Sequence, residues 1–290
     1  MTKIINGKEL TDKLMLDLKN KVSKEKIKPG IAVILVGENP ASITYVRNKM
    51  RRISDLGFNR SLIKFPIKND GPIAELMPSI ESKILDEINR LNQNPACHGI
   101  LVQLPLPDDI SEEKILEAIS PNKDVDGFHP YNMGKLWSGK PNLVPSTPAG
   151  IMKMLEAYNV SISGKHAVIM GRSNIVGKPM AQMLLDKDAT VTIVHSKTPN
   201  IKDITQTADI LIVAIGKGHF VDKSFIKKGA VVIDVGMNRN KNGKLIGDVD
   251  FDDVYDHVSL ITPVPGGVGP MTISMLMTQT YNISLKNEQQ

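Results

Sequence analysis

The sequence is poor in cysteine and aromatic residues and has no long hydrophobic run. Cys97 is the one cysteine among 290 residues, so no disulfide can form within the chain and a reducing compartment is expected. No apolar run reaches the roughly 18–20 residues that span a bilayer. The N-terminus lacks the apolar core of a signal peptide. These absences favour a cytoplasmic protein that does not enter a membrane.

Metal-binding and nucleic-acid-binding patterns are also missing. The six histidines show no metal-ligand spacing, and neither CxxC nor HExxH occurs, so we expect no metal site. The net charge is +5, but lysine and arginine are spread along the chain and aromatic residues make up only 4%. Without a basic tract interleaved with aromatics, this charge favours a solvated basic surface that attracts small anions, not a nucleic-acid partner.

Apolar runs alternate with helix-like segments along nearly the whole chain. Several runs are continuous, which is typical of parallel strands buried on both faces. The alternation therefore predicts an α/β fold with a largely parallel sheet. Strands are predicted over residues 31–36, 61–65, 99–104, 166–170, 190–194, 210–215, 230–235 and 258–261. Helices are predicted over residues 8–24, 41–56, 73–91, 147–158, 180–185 and 271–281.

The alternation is interrupted between residues 121 and 148, which contain five prolines. Such a segment is a natural crossing between domains. We therefore predict two α/β domains, residues 1–145 and 146–269. A last helix, at about residues 270–290, is expected to return and pack on the first domain.

A strand, a glycine-bearing turn and a helix follow one another at residues 166–185. The turn begins at Gly171, and Gly177 opens the helix. Unpaired N–H groups and the helix dipole make such a helix N-terminus a site for an anion such as a phosphate. The spacing is not GxGxxG, so an ordinary βα turn is an alternative.

The next predicted strand bears on the choice of cofactor. NAD sites usually have an acidic residue about 20 positions after the glycines, to bind the ribose 2′-hydroxyl. Here the sequence has Ser196 and Lys197 and no acid, and with Arg172 these residues could hold a 2′-phosphate instead. This favours NADP. Gly216 and Met237 follow two further strands, where a cofactor could lie against the backbone.

The first half of the chain has polar groups that could do chemistry. Tyr45 and Lys49 are four residues apart and share one helix face, although a surface contact is an alternative. Gln103 ends an apolar strand, and Asp126 lies in a Lys-Asp-Val-Asp-Gly segment. The Pro- and Gly-rich residues 263–272 suit a rigid loop, which could be structural or could bind a ligand.

Taken together, these segments resemble the bifunctional methylenetetrahydrofolate dehydrogenase/methenyltetrahydrofolate cyclohydrolase (FolD) family over nearly the full length. The matching segments are residues 42–49, 99–107, 123–127, 171–179 and 263–272, in the same order and at similar separations. The departures are Ser146, where the family usually has cysteine, and Met237, where isoleucine is common.

The resemblance implies an N-terminal catalytic domain and a C-terminal Rossmann-type NADP-binding domain, with a cleft between them. It implies NADP-dependent oxidation of 5,10-methylenetetrahydrofolate to the 5,10-methenyl form, followed by hydrolysis to 10-formyltetrahydrofolate. The partners would be tetrahydrofolate derivatives and, in a homodimer, a second copy of the chain.

The resemblance also assigns roles to individual residues. Lys49 would transfer the proton in hydrolysis, Gln103 would position it, Tyr45 would pack on the folate, and Asp126 would bind the pterin amino edge. The cofactor-binding residues would be Gly171, Arg172, Ser173, Ile175, Val176, Gly177, Ser196, Lys197, Gly216 and Met237. The folate would also contact Pro265, Gly266, Gly267, Val268, Gly269, Pro270 and Thr272.

Three other functions account for the sequence less well. A shikimate-dehydrogenase-like enzyme also combines a small α/β domain, an NADP domain and a lysine, but it does not account for residues 99–107 or 263–272. A non-catalytic nucleotide or folate binder could lose any of the four residues with implied roles in chemistry, yet all are present: Tyr45, Lys49, Gln103 and Asp126. A nucleic-acid-binding module would need a basic stripe that the sequence does not show.

Overall fold

The computed structural model describes residues 2–67 and 73–287. The strands are β1 (Lys3–Ile4), β2 (Gly30–Val36), β3 (Asn59–Phe65), β4 (Gly99–Val102), β5 (His166–Met170), β6 (Thr190–Val194), β7 (Ile210–Val213), β8 (Val231–Asp234), β9 (Asn238–Arg239), β10 (Leu245–Ile246) and β11 (Leu260–Ile261). The helices are α1 (Gly7–Lys24), α2 (Pro40–Asp55), α3 (Ile73–Gln93), α4 (Glu112–Ala118), α5 (Pro130–Trp137), α6 (Ser146–Ala157), α7 (Gly177–Leu185), α8 (Ile201–Thr205), α9 (Phe251–Val254) and α10 (Val268–Asn287).

The chain folds into two compact units. The six-stranded unit comprises Met1–Leu14, Leu136–Lys140 and Pro145–Met275, and the three-stranded unit comprises Met15–Lys135, Pro141–Val144 and Leu276–Gln290. The predicted domains were residues 1–145 with the returning last helix, and residues 146–269. The units differ from them chiefly at the N-terminus, where Met1–Leu14 belongs to the six-stranded unit. The reason is long-range pairing: β1 lies beside β11, with Lys3 opposite Leu260. Periodicity within a window of sequence cannot show such a pairing.

The three-stranded unit is built on the parallel sheet β3-β2-β4. Every residue of the central strand β2 is buried, as its continuous apolar sequence predicts for a strand covered on both faces. Leu276, Met277 and Tyr281 of α10 belong to the core of this unit. The Tyr281 hydroxyl donates a 2.7 Å hydrogen bond to Glu25 Oε1. Residues 288–290 of the predicted last helix lie outside the described residues.

The six-stranded unit has a parallel sheet in the order β1-β11-β8-β7-β5-β6. The order reverses at β5, so the carboxyl ends of β5, β6 and β7 form the kind of edge at which α/β proteins bind ligands. Below that edge the core contains the fully buried Ile169, Ile212 and Ile233.

The structure has elements that the periodicity does not predict. Within residues 104–147, α4 and α5 form two short helices. Each is under nine residues long, so tertiary packing rather than intrinsic helix stability holds it. Across the part of the chain that is described, no helix combines the length and apolar character needed to cross a membrane.

Candidate active site and cofactor site

A lysine, a glutamine and a tyrosine meet at the carboxyl end of β4 in the three-stranded unit. Lys49 on α2 is only 6% exposed, and its Nζ donates to Gln103 Oε1 at 3.0 Å. The Tyr45 ring, one helical turn earlier, has its centroid 5.4 Å from the same nitrogen. The two side chains therefore form part of one buried polar cluster, and not a surface pair.

Burial changes the protonation equilibria of this cluster. It lowers the pKa of the Lys49 ammonium, which the negative charge of Asp126 partly opposes. Burial also raises the pKa of Asp126 to about 6, with Lys49 acting against this shift and Asp124 adding to it. The pKa of Tyr45 is raised, mainly by burial. The neutral form of Lys49 is thus more populated here than that of a surface lysine, and proton transfer near neutral pH requires this form.

The segment that carries Asp126 is fixed by its two charged neighbours. The Lys123 ammonium donates to the carbonyls of Leu91, Asn92 and Asn94 at the end of α3. The Asp124 carboxylate accepts from the backbone N–H groups of Gly127 and His129 and from Asn132 Nδ2. In the Lys-Asp-Val-Asp-Gly motif, therefore, Lys123 and Asp124 shape the loop, and Asp126 acts electrostatically on Lys49.

In the six-stranded unit, the turn between β5 and α7 is closed on itself at the N-terminus of the helix. Ser173 Oγ accepts from the N–H groups of Val176 (3.2 Å) and Gly177 (3.3 Å). A Cβ on Gly177 would lie 2.3 Å from the carbonyl oxygen of Gly171, so the turn can close on the helix only with glycine there. Gly171 itself has φ +124°. Residues 172–175 of this turn are exposed at the positive end of the α7 dipole, which favours an anionic ligand nearby.

A cavity of about 390 Å³ opens beside this turn. It lies at the carboxyl ends of β5, β6 and β7. Its lining residues are Met170, Gly171, Arg172, Ser173, Val194, His195, Ser196, Ile201, Ala214, Ile215, Lys217 and Phe220. The strand-end position and the mixture of apolar walls with basic and hydroxyl groups fit a dinucleotide.

The structure brings four of the predicted cofactor residues to this cavity, namely Gly171, Arg172, Ser173 and Ser196. The other predicted residues, Ile175, Val176, Gly177, Lys197, Gly216 and Met237, do not line it. Sequence reasoning did not identify Lys217 and Phe220, whose ammonium and ring centroid are 5.4 Å apart. In the sequence, only their position just after the predicted strand at 210–215 indicated that they could contact a cofactor.

The Pro- and Gly-rich loop is tied to the N-terminal segment of the six-stranded unit. The Lys8 N–H donates to the carbonyl of Gly266 at 2.8 Å, and a Cβ on Gly7 would lie 1.9 Å from the carbonyl oxygen of Gly267. Val268 is buried in the core of the unit, whereas Thr272 Oγ1 lies 2.9 Å from Thr147 Oγ1. The loop thus packs against the N-terminal segment, and the first turn of α10 contacts α6 through the two threonines.

An α/β fold with a strand-end cavity that suits a dinucleotide, together with a buried lysine–glutamine pair, is typical of nucleotide-dependent enzymes. Two family models match the chain. The catalytic-domain model of tetrahydrofolate dehydrogenase/cyclohydrolase matches residues 5–126, and the NAD(P)-binding-domain model matches residues 145–288. The chain belongs to the tetrahydrofolate dehydrogenase/cyclohydrolase family. This membership excludes the shikimate-dehydrogenase-like alternative.

Individual relatives cover essentially the whole chain. It is 59% identical over 292 aligned positions to the bifunctional protein FolD of Streptococcus mutans, covering 99% of each chain. Among solved structures, FolD from Campylobacter jejuni matches with a TM-score of 0.92 at 44% identity, covering 99% of both chains. The Trypanosoma brucei enzyme, solved with NADP and an inhibitor, matches with a TM-score of 0.91 at 36% identity, covering 100% of this chain and 99% of that one.

Proposed function

We propose that the Lys49 cluster performs the hydrolytic step and that the cavity beside Arg172 receives NADP. The substrate is 5,10-methylenetetrahydrofolate, and NADP accepts the hydride that leaves its one-carbon bridge. The product is the cationic 5,10-methenyl form. Water then adds to the same carbon, and the ring opens to give 10-formyltetrahydrofolate. The observation that carries this assignment is the 3.0 Å contact between buried Lys49 and Gln103.

Lys49 acts in proton transfer, and Gln103 fixes its position. Burial already favours the neutral amine, and a cationic methenyl group nearby lowers the pKa further by like-charge repulsion. Gln103 is itself oriented, because its Nε2 donates to the carbonyl of Leu104 at 2.6 Å. Its Oε1 therefore faces the Lys49 ammonium.

Tyr45 and Asp126 are proposed to contact the folate, the first by packing and the second through the amino edge of the pterin. Their closeness to the Lys49 ammonium supports this role. The role of Pro265, Gly266, Gly267, Val268, Gly269, Pro270 and Thr272 in folate binding stays a prediction.

Arg172 and Ser196 are proposed to hold the 2′-phosphate of NADP, because both line the cavity and no acidic residue does. Lys197 stays a predicted third contact. Ile175, Val176, Gly177, Gly216 and Met237 stay predicted backbone or apolar contacts. The remaining features of the proposal are a homodimer, implied by the family resemblance, and a cytoplasmic location, favoured by the single cysteine.

The two activities can be separated in one assay. With purified protein, 5,10-methylenetetrahydrofolate and NADP, we expect NADPH to form with little build-up of the methenyl chromophore. Added methenyl substrate should be hydrolysed. NADPH with methenyl build-up would contradict the role of Lys49, and no reduced nucleotide with either NADP or NAD would contradict the dehydrogenase assignment.

The raised pKa of Asp126 predicts a pH dependence of folate use. The carboxylate must be ionised to accept hydrogen bonds from the pterin, so kcat/KM for hydrolysis of methenyl substrate should fall below pH about 6. The groups that act on this carboxyl are Lys49, Asp124 and Tyr45. Between its ordinary pKa of 3.8 and about 6, folded protein binds more protons than unfolded protein, so the Asp126 contribution to stability declines as pH rises through that range.

The matched variant for this profile is Asp126→Asn, which keeps the shape of the side chain and removes its titration. We expect a lower kcat/KM and loss of the decline near pH 6. The pKa of Asp234, in the other unit, is also raised to about 6. Hydrolysis is therefore measured without NADP, so that the titration of Asp234 does not contribute to the pH profile. A decline that persists unchanged in Asp126→Asn would assign it to another group.

A further inference from the structure

Two buried carboxylates, those of Asp234 and Asp248, contact the turns at the carboxyl ends of β7 and β8 without taking part in the proposed chemistry. Asp248 is fully buried, and Asp234 is 3% exposed. Burying a carboxylate is costly unless hydrogen bonds replace its hydration. Both carboxylates are therefore expected to accept several hydrogen bonds, and the donors identify the segments that each carboxylate fixes.

Asp248 binds the turn after β7 and the first residue of β9. Its carboxylate accepts four hydrogen bonds, from the backbone N–H groups of Ile215 (2.7 Å), Gly216 (2.9 Å) and Lys217 (2.8 Å) and from Asn238 Nδ2 (2.8 Å). Successive N–H groups that converge in this way form a concave site for an anion. Here the anion is a side chain of the protein itself, so the turn after β7 has one fixed geometry.

Asp234 fixes Asp248 in turn. Its carboxylate accepts from the N–H groups of Gly236 (2.8 Å), Asp248 (3.0 Å) and Val249 (3.0 Å). The packing is close: a Cβ on Gly236 would lie 2.5 Å from Asp248 Oδ1, and a Cβ on Gly247 would lie 1.8 Å from Asp234 Oδ2. These hydrogen bonds form a chain, here called the relay, from the end of β8 through the backbone at residue 248 to the turn after β7.

That turn contributes directly to the cofactor cavity. Ile215 and Lys217, whose N–H groups bind Asp248, are lining residues of the 390 Å³ cavity, and Gly216 between them is a predicted cofactor contact. Asn238, the fourth donor, follows Met237, another predicted contact. Neither carboxylate lines the cavity, so each acts through the turn that it holds.

We propose that Asp248 is a positioning residue for the dinucleotide, with Asp234 as its support. Asp248 holds the turn after β7, and Asp234 holds Gly236 in the turn after β8, so that both turns keep the shape that receives NADP. The proposal rests on the assignment of this cavity to NADP. It predicts that weakening the relay impairs NADP binding and loosens residues 215–217, even where the rest of the unit stays folded.

The test is Asp248→Asn, with Asp209→Asn as the matched control. An amide keeps the shape but turns one acceptor oxygen into a donor, so two of the four incoming hydrogen bonds are lost. Asp209 lies at the opposite end of β7, where it accepts from the His166 N–H at 3.0 Å and pairs with Lys227 at 2.7 Å. It therefore reports the effect of losing a loop-bracing carboxylate away from the cavity.

For Asp248→Asn we expect the Kd of NADP, measured by calorimetry, to rise about tenfold or more, because the turn that lines the cavity loses the hydrogen bonds that hold its shape. Amide hydrogen exchange at residues 215–217, measured without cofactor, should accelerate. Asp209→Asn should leave both quantities near their original values. A Kd within about twofold of the unaltered protein, or an equal rise in Asp209→Asn, would overturn the proposal.

Two further measurements separate the possible failures. If Asp248→Asn does not fold, Asn238→Ala decides, because it deletes only one of the four donors, and an unchanged Kd for NADP there overturns the proposal. If the unaltered protein does not bind NADP, the cofactor assignment itself fails. If it binds NADP and Arg172→Ala weakens that binding while Asp248→Asn does not, only the positioning role fails.

Discussion

Replacing Lys49 by methionine is expected to reduce hydrolysis of the methenyl substrate by about 10²–10⁴-fold, the range that a positioned proton-transfer group contributes. Methionine fills similar space but can neither transfer a proton nor donate to Gln103 Oε1. Oxidation of the methylene substrate depends mainly on holding the donor and acceptor carbons together, so it should fall much less. The two activities should therefore separate in this variant.

The chain offers a close control for this substitution. Tyr131 and Lys135 on α5 repeat the Tyr-x-x-x-Lys spacing, and the Lys135 ammonium lies 5.5 Å from the Tyr131 ring centroid. Lys135→Met should leave both activities close to those of the unaltered enzyme. Loss of the methenyl chromophore measures hydrolysis, and circular dichroism confirms folding. Hydrolysis by Lys49→Met within about tenfold of the unaltered rate would show that Lys49 is not the proton-transfer group.

Replacing Arg172 by alanine is expected to raise the KM for NADP by about 10- to 100-fold, the equivalent of one lost charge-assisted contact to a phosphate. The KM for NAD should change little, because NAD has no 2′-phosphate. Arg172 lines the cavity but is exposed, so its loss removes no core packing.

A neighbouring lysine controls for the general loss of positive charge. Lys178 lies on α7 and donates to Asn174 Oδ1 at 2.7 Å, and it does not line the cavity. Lys178→Ala should leave the KM values for both nucleotides near their original values. Equal increases for NADP and NAD in Arg172→Ala would contradict the 2′-phosphate assignment, because they would show an effect on the shared part of the two molecules.

Local sequence pattern predicted the strands of the six-stranded unit well. The predicted strands at 166–170 and 190–194 have the same bounds in the structure, because each is a short β-prone run between turn residues. It did not predict β1, whose two residues are too short for a period and are stabilised by pairing with β11. Nor did it predict α4 and α5, which are short helices.

The candidate sites divide in the same way. The turn at 171–177 could be predicted from the sequence, because only glycine permits the close approach of residue 177 to the Gly171 carbonyl. Asp248 gave no such signal. It lies more than 30 positions after the N–H groups that it binds, and nothing in the sequence distinguishes it from Asp250, Asp252 and Asp253, which follow closely.

The sequence by itself determined the α/β class, the strand–turn–helix of the cofactor site and the residue types available for chemistry, since these depend on local periodicity and on glycine. Only the tertiary structure decided which Tyr-x-x-x-Lys pair is the buried one. The spacing is identical in both pairs, but Lys49 lies 3.0 Å from Gln103, a residue 54 positions away. Burial and electrostatic coupling are properties of such distant contacts, and they set the pKa values on which the chemistry depends.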